Sequence, residues 1–150
     1  MVILKLSRLI ICLFLFSCLS KVDKEKCNTY INEGYGAKIS FIRFKNLEVD
    51  SIKCFVQNKQ VQKGNIKLWG SSDPDVEFFL HEQILLTDTI KIEYKEKKYK
   101  VYNFQNHINR AISRKTREME DYCELNSYNI NMIKDIDSNG AIVIDGSENY

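Results

Sequence analysis

Ile90-Lys91-Ile92-Glu93-Tyr94-Lys95-Glu96-Lys97-Lys98-Tyr99-Lys100-Val101 decides the fold class of this 150-residue chain. Ile90, Ile92 and Tyr94 alternate with charged residues, and Tyr99 and Val101 resume the alternation after the charged run Lys95-Glu96-Lys97-Lys98. Successive side chains of a strand point to opposite faces. The spacing therefore predicts a β-hairpin with one buried face and a four-residue loop. Outward from this hairpin the period stays mostly two. Ile39-Phe41, Ile52-Cys54-Val56 and Val76-Phe78-Leu80 read as half-buried strands, as does Tyr128-Ile130-Met132. Phase slips at Ile42-Phe44 and Leu47-Val49 suggest a bulge or a strand buried on both faces. Gln57-Asn58-Lys59-Gln60 is a polar turn before the apolar run Ile66-Lys67-Leu68-Trp69, and the Gly70–Asp75 stretch is the strongest breaker. Asn139-Gly140 is a tight-turn dipeptide before a terminal strand, Ala141–Ile144.

One segment changes period. Ile108, Ala111, Ile112 and Met119 fall at helical spacing, with Asn106 placed to cap the start. This predicts a helix over 107–120 with Arg110, Arg114, Lys115 and Arg117 on its polar side. Many short strands with one helix define a mainly β, α+β chain. The expected architecture is a small antiparallel β-sandwich or a partly open barrel.

The N-terminus has a different character. Lys5 and Arg8 precede the uncharged apolar run Leu9–Leu19, and Lys21-Val22-Asp23-Lys24-Glu25-Lys26 begins directly after Ser20. A charged, then apolar, then small-residue layout is that of a secretory signal. The apolar run is shorter than the ~20 residues a membrane span needs. Leu15-Phe16-Ser17-Cys18 resembles the lipobox of bacterial lipoproteins. The resemblance implies removal of residues 1–17, lipidation of Cys18 by palmitate-type chains and, since Leu19 is not Asp, passage to the outer membrane to face the periplasm. Cleavage after Ser20 to give a secreted protein, and a retained anchor, are the competing readings. The expected organisation is a signal peptide at 1–17, a lipid-attached tether at 18–35 and one β-rich domain at 36–150.

Removing residues 1–17 takes away two of the 22 basic residues and none of the 20 acidic ones, so the +2 formal charge of the chain belongs to the signal. A neutral domain lacks the basic excess of a nucleic-acid binder. Of the five cysteines, Cys27, Cys54 and Cys123 remain in an oxidising compartment. An odd number allows one intramolecular bridge and leaves one thiol. Cys54 alternates with Ile52 and Val56, which makes it a buried free thiol. Cys27 with Cys123 is the expected pair, because it would pin the tether to the domain. Cys54 with Cys123 stays open.

Several constellations have bland alternatives. Asp135, Asp137, Asn139 and Gly140 match the opening of an EF-hand-like calcium loop, but position twelve, where a bidentate Glu belongs, is Gly146. The preferred reading is a turn with solvated aspartates. Asp73, Asp75 and Glu77 beside Pro74 read as a surface turn. The cysteines and the two histidines, His81 and His107, lack zinc spacing. There is no Gly-x-Ser-x-Gly motif to select a hydrolase. No catalytic residue and no cofactor is expected.

Aromatic and Arg side chains are enriched at interface anchors. The candidate partner-binding residues are therefore Tyr94, Tyr99 and Tyr102 around the hairpin and Arg110, Arg114 and Arg117 on the basic stripe. The functional expectation is a membrane-anchored protein-binding module. One fitting class is an immunity protein against a periplasmic interbacterial toxin. A structural or assembly lipoprotein and a small periplasmic hydrolase are the alternatives. Mass spectrometry of the native protein should find an acylated peptide starting at Cys18, and Cys18→Ala should leave the chain unprocessed or release it from membranes. An unmodified N-terminus at Lys21 would defeat lipidation while sparing export.

Overall fold

The computed structural model describes residues 22–70 and 74–147; the signal, Cys18 and Asp73 lie outside them. Ten strands form two sheets. One has the order β10-β1-β5-β4 and the other β3-β2-β6-β7-β8-β9. In the four-stranded sheet, β1 (Ala37–Ile42) pairs in parallel with β10 (Ile142–Asp145) and antiparallel with β5 (Asp75–Leu80). The edge strand β4 (Lys63–Trp69) pairs with β5. In the other sheet, β2 (Ile52–Val56), β3 (Lys59–Val61), β6 (Ile90–Tyr94), β7 (Lys97–Ile112), β8 (Met119–Ile130) and β9 (Ile133–Asp137) are antiparallel throughout. The molecule is the expected mainly β, α+β sandwich.

Alternation builds the core between the sheets. Ala37, Ile39 and Phe41 of β1 and Val76, Phe78 and Leu80 of β5 face Ile52, Cys54 and Val56 of β2 and Ile90, Ile92 and Tyr94 of β6 in one buried cluster. Phe41 meets Tyr94 across the sheets edge-on, with ring centroids 6.1 Å apart. Chain order crosses between the sheets four times, after β1, β3, β5 and β9, and two of the crossings are short. Gln62 alone links β3 to β4, and residues 138–141 link β9 to β10.

The 90–101 hairpin is present with Ile90 opposite Val101 and Ile92 opposite Tyr99. Its turn is Lys95-Glu96, two residues rather than four, because Lys95 takes a positive φ of 52° and the ladder closes at Tyr94–Lys97. The phase slips after Phe41 mark the end of β1. Arg43 and Asn46 take positive φ, and the chain leaves the sheet.

The helix expected at 107–120 is absent. Residues 97–112 are one strand, 113–118 a turn, and 119–130 the returning strand. Ile108 and Ile112 satisfy a period of two as well as one of 3.6. Ten paired positions with β8, from Val101–Ile130 to Ile112–Met119, place the segment in a ladder, so pairing with a distant strand overrides the ambiguous local period. The exposed Ala111, Ile112 and Met119 confirm that no helical apolar stripe is buried there.

Among the described residues the one α-helix lies instead in the segment assigned to the tether. α1 (Lys24–Thr29) is capped by Asp23, whose carboxylate accepts from the Lys26 N–H at 3.1 Å. It buries Cys27, and Ile31 just beyond is fully buried. Ile31 N–H donates to the Ile84 carbonyl, and Leu86 N–H to that of Thr29. Residues 23–35 thus belong to the domain. Gly36 follows with φ +92°, where a Cβ would lie 2.0 Å from the Leu80 carbonyl oxygen, so only glycine lets the arm enter β1 this closely.

Cys27 and Cys123 form the expected disulfide, 96 residues apart in sequence. Closing so long a loop restricts the unfolded chain. The Cys27→Ser, Cys123→Ser double variant should lose about 2–5 kcal/mol in denaturant unfolding, with the same native secondary structure by circular dichroism.

Candidate functional site

The candidate site is the distal half of the β7–β8 hairpin. β7 pairs with β6 only over Lys97–Val101, and beyond that point its sheet partner is β8 alone. A register shift carries the strand out of the sandwich, with Asn103 at φ 57° between Tyr102 and Gln105.

The N-terminal arm braces the stem. Asn106 Nδ2 donates to the carbonyls of Cys27 at 2.6 Å and Tyr30 at 2.7 Å. From the other strand, Leu125 N–H donates to Asn32 Oδ1 at 2.8 Å, and the Cys27–Cys123 bridge adds a covalent tie. Residues 109–112 continue about 14 Å beyond this brace at the ordinary strand rise.

The free portion is ordered by its own polar contacts. Arg110 lies opposite Asp121, and its Nε donates to Oδ1 at 2.7 Å. This hydrogen bond from Arg110 holds the Asp121 carboxyl below its ordinary range, and Asp121 in turn raises the guanidinium. At the tip, Ser113 N–H donates to the Glu118 carbonyl and Arg117 N–H to the Ser113 carbonyl, both at 2.8 Å. Thr116 Oγ1 donates to Glu120 at 2.7 Å. Arg117 closes the turn at φ 61°.

What this scaffold presents is a directly paired Ile112 and Met119, 67% and 58% exposed. Beside them stand Arg114, Lys115 and Arg117, all exposed and without an ion pair among the described residues, with Glu118 as the nearby acid. An exposed apolar pair next to a cationic turn suits an acidic surface with an apolar recess.

The sequence-predicted residues divide between locations. Arg110, Arg114 and Arg117 come together on the projection, although on a hairpin rather than a helix. Arg110 is neutralised by Asp121. Tyr94 and Tyr99 are not exposed on the hairpin as protein-binding anchors: they are 5% and 4% exposed, because both point to the core face of their strands. The Tyr94 hydroxyl accepts from Glu48 N–H at 3.3 Å. Tyr102 is half-buried on the opposite face; its hydroxyl donates to the Asn131 carbonyl at 3.2 Å and Lys100 covers its ring. Helical spacing places Ile112 and Met119 on an apolar stripe, so their exposure at the tip was hidden by the wrong period. Exposed Ile66, Leu68 and Trp69 on the edge strand β4 read in sequence only as a strand.

The calcium-loop residues are dispersed. Asp135 and Asp137 are exposed in β9, and Asp145 is buried in a fork with Arg43. No group of three His, Cys, Asp or Glu among the described residues could hold a metal. His81 stacks on Phe79 just after β5 of the smaller sheet, whereas His107 sits exposed on β7 of the larger one. Among the described residues no helix is long and apolar enough to cross a membrane. No family model matches the chain, and neither does any characterised protein or solved structure.

Cys54 is the free thiol among the described residues, 1% exposed between Ile52 and Val56. Burial pushes it up to about 12 from 9.0, against a smaller lowering by Lys63. A raised thiol favours the folded state below pH 9 and loses that contribution as pH climbs from 9 toward 12. Iodoacetamide should therefore leave native Cys54 unmodified at pH 8 and alkylate it fully in denaturant. Comparable labelling rates in both states would show that the thiol is accessible.

Proposed function

We propose that this protein is a lipid-anchored module of the bacterial envelope that binds a partner protein through the tip of its β7–β8 hairpin. The carrying observation is the Ile112–Met119 pair beside three unpaired cations on a hairpin braced by a disulfide. Preorganisation reduces the entropy lost on docking, so a stiff presenting element favours tight capture. The lipobox-like Leu15-Phe16-Ser17-Cys18 supports an anchor at the membrane, with the domain in the periplasm. Within this reading we favour an immunity protein that neutralises a periplasmic interbacterial toxin. That task asks for export, anchoring and one binding surface, and for no chemistry. A structural or assembly lipoprotein uses the same surface on an envelope component.

Native protein immobilised on beads should capture its partner from envelope extract, and the purified partner should then bind it directly. Arg114→Glu with Arg117→Glu, and separately Ile112→Asp, should each weaken that binding by about tenfold or more, the ~1.4 kcal/mol that separates decades of affinity. Both changes are at exposed positions, so the thermal midpoint should hold. Partner identity separates the roles: a toxin whose lethality is relieved by co-expression supports immunity, and an envelope component supports assembly. Binding unaffected by either tip variant would move the interface elsewhere.

A further inference from the structure

A second site lies at the opposite end of β7 from the hairpin tip. The β1–β2 connection, the β6–β7 turn and the chain after β10 converge there on a cleft of about 730 Å³, within the range of small-molecule pockets. Its floor is aromatic. Phe44 meets Tyr94 edge-to-face at 5.6 Å, and both pack on Phe41 of the core. Its rim is cationic. Lys95 Nζ stands 5.3 Å above the Tyr94 ring and Lys97 Nζ 6.0 Å above that of Phe44. Lys45 lines the same cleft, exposed and with no ion pair among the described residues. Glu96 also lines it, and Glu48 approaches Lys95 at 3.8 Å, so the cations are not fully compensated.

The walls are built to stay in place. Arg43 is locked as a two-pronged partner of the buried Asp145, with Nε donating at 3.0 Å, and Asp145 also accepts from Ser147 N–H at 2.9 Å and Oγ at 2.8 Å. A Cβ at Gly146 would lie 2.6 Å from the Arg43 carbonyl oxygen and 3.0 Å from Phe44 Cγ, so the glycine lets the wall close against the aromatic floor.

We infer that this cleft binds a small organic anion with an apolar body, the body lying on Phe44 and Tyr94 and the anionic group meeting Lys45, Lys95 and Lys97. The site is separate from the hairpin tip, and its occupancy does not depend on the partner-binding reading. An acidic head group gains charge-assisted hydrogen bonds from the ammonium groups, and the body gains contact that a bare inorganic ion cannot make.

The test uses the native, processed protein in phosphatidylcholine nanodiscs, followed by saturation-transfer NMR and calorimetry. The probes are 3-phenylpropionate, phenyl phosphate, the neutral 3-phenylpropanol and inorganic phosphate. At least one aromatic anion should bind saturably, and the tighter of the two identifies the head group. The alcohol and inorganic phosphate should each bind about tenfold more weakly, the loss expected when one charged or apolar contact is missing. Lys45→Glu with Lys97→Glu, both at exposed positions, should weaken the aromatic anion to the same degree. Absence of saturable binding by either aromatic anion would overturn the proposal. So would equal affinity for inorganic phosphate, or unchanged affinity in the charge-reversed variant.

Discussion

The attachment of the N-terminal arm to the β7–β8 stem is the constraint from which the rest of the arrangement follows. A disulfide, two bonds from Asn106 and one to Asn32 tie residues 27–32 to both strands of the hairpin. The arm covers the stretch where β7 has lost β6 as a neighbour. Without it, the strand beyond Gln105, where β8 has also lost β9, would be half of an isolated two-stranded ribbon, which is marginal in water. With it, only the last few residue pairs project freely. The same contacts position the arm's first residues beside the projection, since Lys24 also lowers the Asp121 carboxyl, behind the larger effect of Arg110.

The sandwich treats its edges unequally. β10 is an edge strand, yet its outward backbone is occupied. The hydroxyl of the fully buried Tyr128 accepts from Val143 N–H at 2.8 Å and donates to the Val143 carbonyl at 3.2 Å. One side chain of the larger sheet thereby closes one side of the smaller one. β4, at the other edge, carries a bulge between Gly64 and Lys67 and exposes Ile66, Leu68 and Trp69. A bulge and a lysine are common devices that discourage edge pairing.

The two proposed surfaces occupy the two ends of one strand. β7 begins at Lys97 in the cationic cleft and ends at Ile112 beside the basic tip. At the strand rise, its 16 residues set the two roughly 50 Å apart. That distance exceeds several Debye lengths in physiological salt, so the two cationic sites act independently of each other's charge.

Local alternation determined the mainly β class, the 90–101 hairpin, the inward face of Cys54 and the buried rows of β1, β2, β5 and β6. Each depends on neighbours two residues apart, which a sequence displays directly. The spacing of Ile108, Ala111, Ile112 and Met119 was ambiguous between two periods, and the distant strand 119–130 decided it by offering a ladder. The charged arm at 23–35 looked like solvent-exposed tether because its burial rests on Cys27 and Ile31, and on backbone bonds with Ile84 and Leu86 that no periodicity announces. Tyr94 and Tyr99 looked available until the packing of the opposite sheet covered them. The cleft draws on residues 43–45, 94–97 and 146–147, so only the tertiary structure could assemble it. Sequence determines which face a strand buries, because that choice is local; which surfaces remain exposed is decided by contacts between segments far apart in the chain.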